Sequence, residues 1–211
     1  MGRAPVSGWG PAVLVARSRG VGSGVALAGG VIALSWWAAS WLASQPQFDG
    51  PRARVPVVAA APLALAMLLA ARLGSPDVAL DRTSPRAWWR LRLAGVLSWA
   101  AVTAVGLGVG LRAEPAAYGA GAVVRNILGY AGLACLAAGV VGAGLAWAPG
   151  FVLGSVLYLA APHPVPPAAA WWAWPMAPGG WDGSWVSATG LFVIGVGWYA
   201  ARGPRESPAP D

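Results

Sequence analysis

The chain has 211 residues, of which 57% are hydrophobic and 10% charged, whereas an ordinary soluble domain carries about 25% charge. All 14 basic residues are arginine, set against seven acids for a net charge of +7, and the lack of lysine excludes a P-loop ATPase site, whose lysine reaches the nucleotide phosphates. One histidine (His163) and one cysteine (Cys135) exclude a bis-histidine haem, a His/Cys zinc site and an internal disulfide, so no cofactor or metal is expected.

Residues 1–20 hold Arg3, Arg17 and Arg19 around Trp9, Val13, Leu14 and Val15. They read either as a short helix in the inner membrane interface or as a cytoplasmic tail. The apolar run that follows is too long for the h-region of a cleavable signal peptide. A first span is predicted over 21–43, with Trp36, Trp37 and Trp41 toward its outer end, where indoles favour the headgroup layer. Gln45 to Arg54 is rich in turn residues and forms an outer loop. A second span over 55–71 is barely long enough, and Pro62 should kink it unless a neighbour satisfies the carbonyl it frees.

Arg72 to Arg92 (RLGSPDVALDRTSPRAWWRLR) gathers seven charged residues between two uncharged runs. A short arginine-rich loop flanked by bilayer-length apolar runs is expected in the cytoplasm. The third span, 93–111, ends in Gly106, Gly108 and Gly110. Gly106/Gly110, like Gly20/Gly24 and Gly150/Gly154, has a small-xxx-small spacing that permits close helix approach. After an outer loop at 112–115 the chain is uncharged from Asn126 to Trp181. One helix from 126 to 161 would measure ~54 Å against a hydrocarbon core of ~30 Å. It must therefore break near Gly142, Gly144, Pro149 and Gly150, which gives spans at 121–142 and 145–161. Arg125 is placed near the outer end of the fourth span, from which it would snorkel outward. Cys135 reads as a small buried packing residue.

Residues 162–183 (PHPVPPAAAWWAWPMAPGGWDG) lie outside in this scheme, as an interfacial or re-entrant element anchored by Trp171, Trp172 and Trp174, or as an ordinary aromatic belt. The sixth span covers 184–201, and 202–211 forms a cytoplasmic tail. Six spans with both termini cytoplasmic put ten arginines inside and four outside, which satisfies the positive-inside rule. The fold class is thus an all-α polytopic membrane bundle of about six transmembrane helices. Arginines clustered at the ends of apolar runs face anionic lipid headgroups; nucleic acid is not expected as a partner.

No acid falls within a predicted span, which disfavours a self-energised secondary transporter or pump. No G-x-S-x-G elbow supports hydrolase chemistry either. RNILGYAGLACLAAGVVGAGLAW (Arg125 to Trp147), followed by PGFVLGSVLYLA, WWAWPMAP and YAARGPR, resembles small permease subunits of actinobacterial ATP-binding-cassette (ABC) exporters. More broadly, the layout is similar to the type-2 ABC exporter permeases. The resemblance implies an interfacial N-terminal helix, six spans, a coupling helix between spans two and three, and a re-entrant element between spans five and six. It also implies a second permease chain, a separate ATPase subunit and a place in the bacterial cytoplasmic membrane. A short second span with two prolines departs from that layout. A non-transport membrane subunit, for assembly, anchoring or immunity, is the alternative.

In the exporter reading, Asp77 to Trp89 contains the coupling helix. Asp77 suits the start of a turn opened by Ser75 and Pro76. Val78 and Leu80 are the apolar anchors a partner's pocket would bury, with Leu80 preferred because residues two apart do not share a helical face. Asp81, Arg82 and Arg86 offer polar contacts to the ATPase, although Arg82 and Arg86 serve equally well to hold the loop inside. Trp88 and Trp89 sit at the inner interface.

Overall fold

The structure is a computed structural model that describes residues 21–45, 54–74, 88–111, 118–161 and 165–205. Among the described residues six α-helices follow one another: α1 (Val21–Ser44), α2 (Val55–Ala70), α3 (Trp88–Gly110), α4 (Ala120–Val140), α5 (Ala148–Ala160) and α6 (Asp182–Arg202). Short 3₁₀ turns occupy Ala143–Leu145, Pro167–Ala169 and Trp174–Met176, and no strand occurs among the described residues. Five of the segments are long and apolar enough to cross a membrane; α2 is apolar but shorter. Large apolar side chains stand exposed around the bundle, among them Leu159 (84%), Val186 (73%) and Val102 (67%). In water such a surface would associate, whereas against lipid tails it carries no penalty. The protein is a multi-pass membrane protein built as a helical bundle.

α4 is the axis of that bundle. Ala122, Val123, Ile127, Tyr130, Ala131, Ala134, Cys135 and Ala138 are all buried along it. α6 packs along most of its length, α2 and α3 lie on other faces, and α1 sits outside against α2 and α3. Lipid supplies no hydrophobic drive between helices, so association rests on close van der Waals contact and small residues. The closest approach is between α4 and α6, where a Cβ on Gly195 would run into the Gly132 carbonyl oxygen. The small-xxx-small spacings single out other pairs. Gly106 and Gly110 receive Ile32 and Trp36 of α1, and Trp36 Nε1 donates to the Gly106 carbonyl (3.0 Å). Gly150 and Gly154 receive Leu63 and Tyr130.

Several boundaries differ from those read in the sequence. α3 begins at Trp88, so Arg90 and Arg92 belong to its first turns rather than to the preceding loop. Long arginine stems allow this because the helix can enter the core while the guanidinium stays at its edge. The break between α4 and α5 falls at Gly142, whose φ of +96° only glycine adopts freely, and Pro149 sits in the first turn of α5. α6 starts two residues early and takes Asp182 into its first turn, where a carboxylate favours the helix dipole.

α2 has 16 residues, ~24 Å of helix, less than the ~30 Å of a hydrocarbon core. Nine of those residues are buried, so other helices rather than lipid surround much of it. The bundle has two distinct ends. One, the proline–tryptophan end, joins the start of α2, the start of α4, residues 165–181 and the start of α6. The other, the arginine end, joins Arg72 to Gly74, the start of α3, the end of α4 and the end of α6.

Candidate functional site

The polar chemistry inside the bundle is concentrated near the proline–tryptophan end, on two adjacent residues of α4. Arg125 and Asn126 are both 0% exposed. Arg125 Nε donates to Asn126 Oδ1 (3.1 Å), Nη1 to the Pro178 carbonyl (2.9 Å) and Ser184 Oγ (2.9 Å), and Nη2 to Asn126 Oδ1 (3.0 Å) and the Ala177 carbonyl (2.8 Å). Those five bonds equal the full donor capacity of a guanidinium. None of the acceptors is a carboxylate. Among the described residues no counter-ion meets this charge, and oriented dipoles hold it, as burial requires. Ser184 Oγ in turn donates to the Trp181 carbonyl (2.6 Å), so the hydroxyl both accepts and donates.

Asn126 completes the arrangement. Its Nδ2 donates to the Val58 carbonyl and to the Pro175 carbonyl, both at 2.9 Å. In a regular helix the Val58 carbonyl would accept from the amide of residue 62. Residue 62 is proline and has no N–H. Asn126 therefore satisfies the acceptor that Pro62 leaves open, and α2 remains one continuous helix through the proline. Arg125 and Asn126 together fasten three pieces of chain to α4: α2 at Val58, the segment at Pro175 to Pro178, and the first turn of α6 at Ser184.

That segment is folded into the bundle. Ala169, Ala170, Ala173, Trp174, Pro175, Met176 and Ala177 are buried, and several pack with Ala59 of α2 and Leu157 of α5. Trp174 is 2% exposed; its ring lies against Gly129 and 4.9 Å from the ring of Tyr130. This corrects two expectations. Trp174 is an internal packing residue and no interfacial anchor, whereas Trp171 (64%) and Trp172 (39%) do remain exposed. Arg125 does not snorkel outward, because Ala177 and Pro178 turn their carbonyls toward its guanidinium. The available signal was the Arg125-Asn126 pair itself, a charge and an amide bordering a long uncharged run, which demanded internal partners.

The arginine end is organised differently. Arg202 stacks on Trp198 at 3.7 Å, Arg72 on Trp99 at 4.9 Å and Arg90 on Trp89 at 5.2 Å. Tyr199 Oη donates to the Leu73 carbonyl (2.9 Å), and Arg205 donates from its backbone to Ala138 and from Nη1 to Val140, each at 2.9 Å. Gly203, with φ +75°, ends α6, and the Arg92 guanidinium lies in the space its Cβ would need. A cation over the last turn of a helix suits the negative end of its dipole.

The predicted coupling residues Asp77, Val78, Leu80, Asp81, Arg82 and Arg86 lie outside the described residues, as do the N-terminal segment 1–20, the loops at 46–53 and 112–117, His163 and the tail from 206. Trp88 is half-buried at the start of α3 and Trp89 is exposed. Among the described residues no three His, Cys, Asp or Glu side chains cluster as a metal site. Comparison with protein-family models, curated proteins and solved structures finds no match.

Proposed function

We propose that this chain is the permease subunit of an ABC exporter in the bacterial cytoplasmic membrane, forming its passage with a second permease chain and driven by a separate ATPase. The observation that carries the reading is the segment 165–181. It lies between the fifth and sixth helices and its core, Ala169, Ala170 and 173–177, is buried in one end of the bundle, as a re-entrant element in that position would be. This supports the layout that the sequence resemblance implies. In this orientation the proline–tryptophan end faces outward and the arginine end faces the cytoplasm. Residues 75–87 then leave from the cytoplasmic end, where a coupling helix meets an ATPase. The lack of lysine requires the nucleotide site to be on another chain.

The test is co-purification of the tagged chain with a Walker-type ATPase from its own cells, followed by ATP-dependent efflux in vesicles. Leu80→Asp should abolish stimulation of the ATPase and efflux without altering insertion. Wild-type efflux by that variant would sink the coupling assignment, and a stable complex lacking any ATPase would sink the exporter reading.

A second reading, a non-transport membrane subunit, is favoured by one observation. All five donor bonds of Arg125 and both of those made by the Asn126 amide go to groups within the chain, so this polar hub presents no open donor to a cargo. The purification experiment separates the two readings.

A further inference from the structure

A hydroxyl is buried at the centre of the bundle with no hydrogen-bond partner. Tyr130 is 1% exposed, and its Oη is one of two such orphaned side-chain atoms among the described residues; the other is Trp88 Nε1. Phenylalanine would fill the same space without burying an unsatisfied polar group, so the hydroxyl calls for an explanation. Tyr130 is the eleventh of the 21 residues of α4. Opposite it lie Gly154, seventh of 13 in α5, and Leu63, ninth of 16 in α2. All three stand at mid-length of their helices, the depth at which membrane transporters place cargo and at which a polar group has a functional meaning by default.

α5 covers this hydroxyl with very little. Its buried residues are Gly150, Gly154 and Leu157, so two of the three contribute no side chain. A Cβ on Gly154 would lie 3.2 Å from Tyr130 Oη and 2.7 Å from Leu63 Cδ2, so the glycine face rests directly on both. The chain enters α5 after Gly142, whose positive φ marks a sharp turn, and leaves it toward Pro162, Pro164, Pro166 and Pro167. Beneath α5 Tyr130 packs with Leu63, Ala66, Trp174 and Ala188, and Leu153 of α5 itself lies against the same cluster. Moving α5 aside exchanges the contacts of Gly150, Gly154, Leu153 and Leu157 for contacts with lipid, a solvent as apolar as the helix.

We propose that α5 is a lateral gate over a binding site formed by Tyr130, Trp174 and Leu63, and that the site takes an apolar, lipid-soluble molecule bearing a carbonyl or ether oxygen. The oxygen accepts the Tyr130 hydrogen bond and the apolar body packs on Trp174. A resident phospholipid does not meet this description, because its ester oxygens lie at the interface, ~15 Å from the midplane of a ~30 Å core. This deepens the exporter reading by naming the class of cargo, and rests on that reading only in calling the ligand cargo.

Benzophenone is a suitable probe, being a lipid-soluble aromatic ketone that inserts into nearby C–H bonds under near-ultraviolet light. The full chain in liposomes is irradiated with it and the adducts are mapped by mass spectrometry. Adducts are expected at Leu63 beneath α5 and at Leu153 on the side of α5 that packs against the Tyr130–Trp174 cluster, as well as on the lipid face. Tyr130→Phe should lower those at Leu63 by about fivefold, the worth of one hydrogen bond, and leave those at Leu159 unchanged. Its stability in detergent should equal or exceed that of the parent. A second variant, Leu63→Cys with Gly154→Cys in a Cys135→Ala background, should lose the adduct at Leu153 on oxidation and regain it on reduction. Adducts confined to exposed positions such as Val152, Val156 and Leu159, or equal Leu63 labelling in Tyr130→Phe, would overturn the proposal. The assay needs no ATPase, so the site can stand where the exporter reading falls, and the reverse.

Discussion

The two ends of the bundle use the same side chain in opposite ways. At the proline–tryptophan end, Arg125 is withdrawn from all solvent and held by five bonds to neutral oxygens. At the arginine end, Arg202 and Arg90 are exposed and lie on tryptophan rings, and Arg72 is half-exposed on Trp99. A guanidinium at the membrane edge keeps its hydration and gains about 0.5–1 kcal/mol from an aromatic face. A buried one must have every donor satisfied, and removing its partners or the group itself leaves uncompensated polar atoms. One end therefore tolerates change where the other does not.

The largest effect should come from Arg125→Leu. It strands the carbonyls of Ala177 and Pro178, the Asn126 side-chain oxygen and the Ser184 hydroxyl, and should destabilise the bundle by about 3–5 kcal/mol. SDS-induced unfolding in mixed micelles measures this. Segment 165–181 should also become sensitive to protease. A loss below about 1 kcal/mol would mean that the cluster does not hold the segment.

Asn126→Leu should cost about 2–4 kcal/mol, because the Val58 and Pro175 carbonyls lose their donor and Arg125 Nε and Nη2 lose the Asn126 Oδ1 acceptor. Pro62→Ala restores an N–H opposite Val58. In the Asn126→Leu background it should recover about 1 kcal/mol, and in the parent much less, so a double-mutant cycle isolates that one acceptor. Additive effects would refute the assignment of Asn126 as the stand-in for the missing amide.

Gly195→Ala should cost about 1–3 kcal/mol by forcing α6 off the Gly132 carbonyl. Gly197→Ala, two residues on with nothing near its Cβ, should be neutral or stabilising by up to about 1 kcal/mol. The smallest effect belongs to the arginine end. Arg202→Gln should change stability by less than about 1 kcal/mol and shift the balance of orientations in a topology assay more than it shifts unfolding.

Much of the fold was legible along the chain. Six apolar runs, their separation by charged or proline-rich turns, and the break at Gly142 follow from local rules of length, hydropathy and backbone freedom. The site was legible only in fragments. Pro62 announced that its freed carbonyl needed a donor, yet nothing local points to Asn126, 68 residues away from Val58. Trp174 sits among tryptophans that read as interfacial, and composition cannot tell the buried one from its exposed neighbours Trp171 and Trp172. Glycine spacing marked Gly106/Gly110 and Gly150/Gly154 but passed over Gly132 and Gly195, because their contact joins two helices far apart in the chain.

By itself, then, the sequence determined that this is an all-helical membrane protein and roughly where its helices lie, though α3 starts five residues before the predicted span, since both depend on transfer of each segment into lipid and on its own backbone bonds. The tertiary structure decided which helix is the axis, that residues 165–181 fold inward, and that Arg125 is buried rather than snorkelled. Those outcomes depend on which dipoles and small residues meet across helices. In a lipid solvent, where apolar surface is no guide to the interior, a one-dimensional pattern carries no record of that meeting.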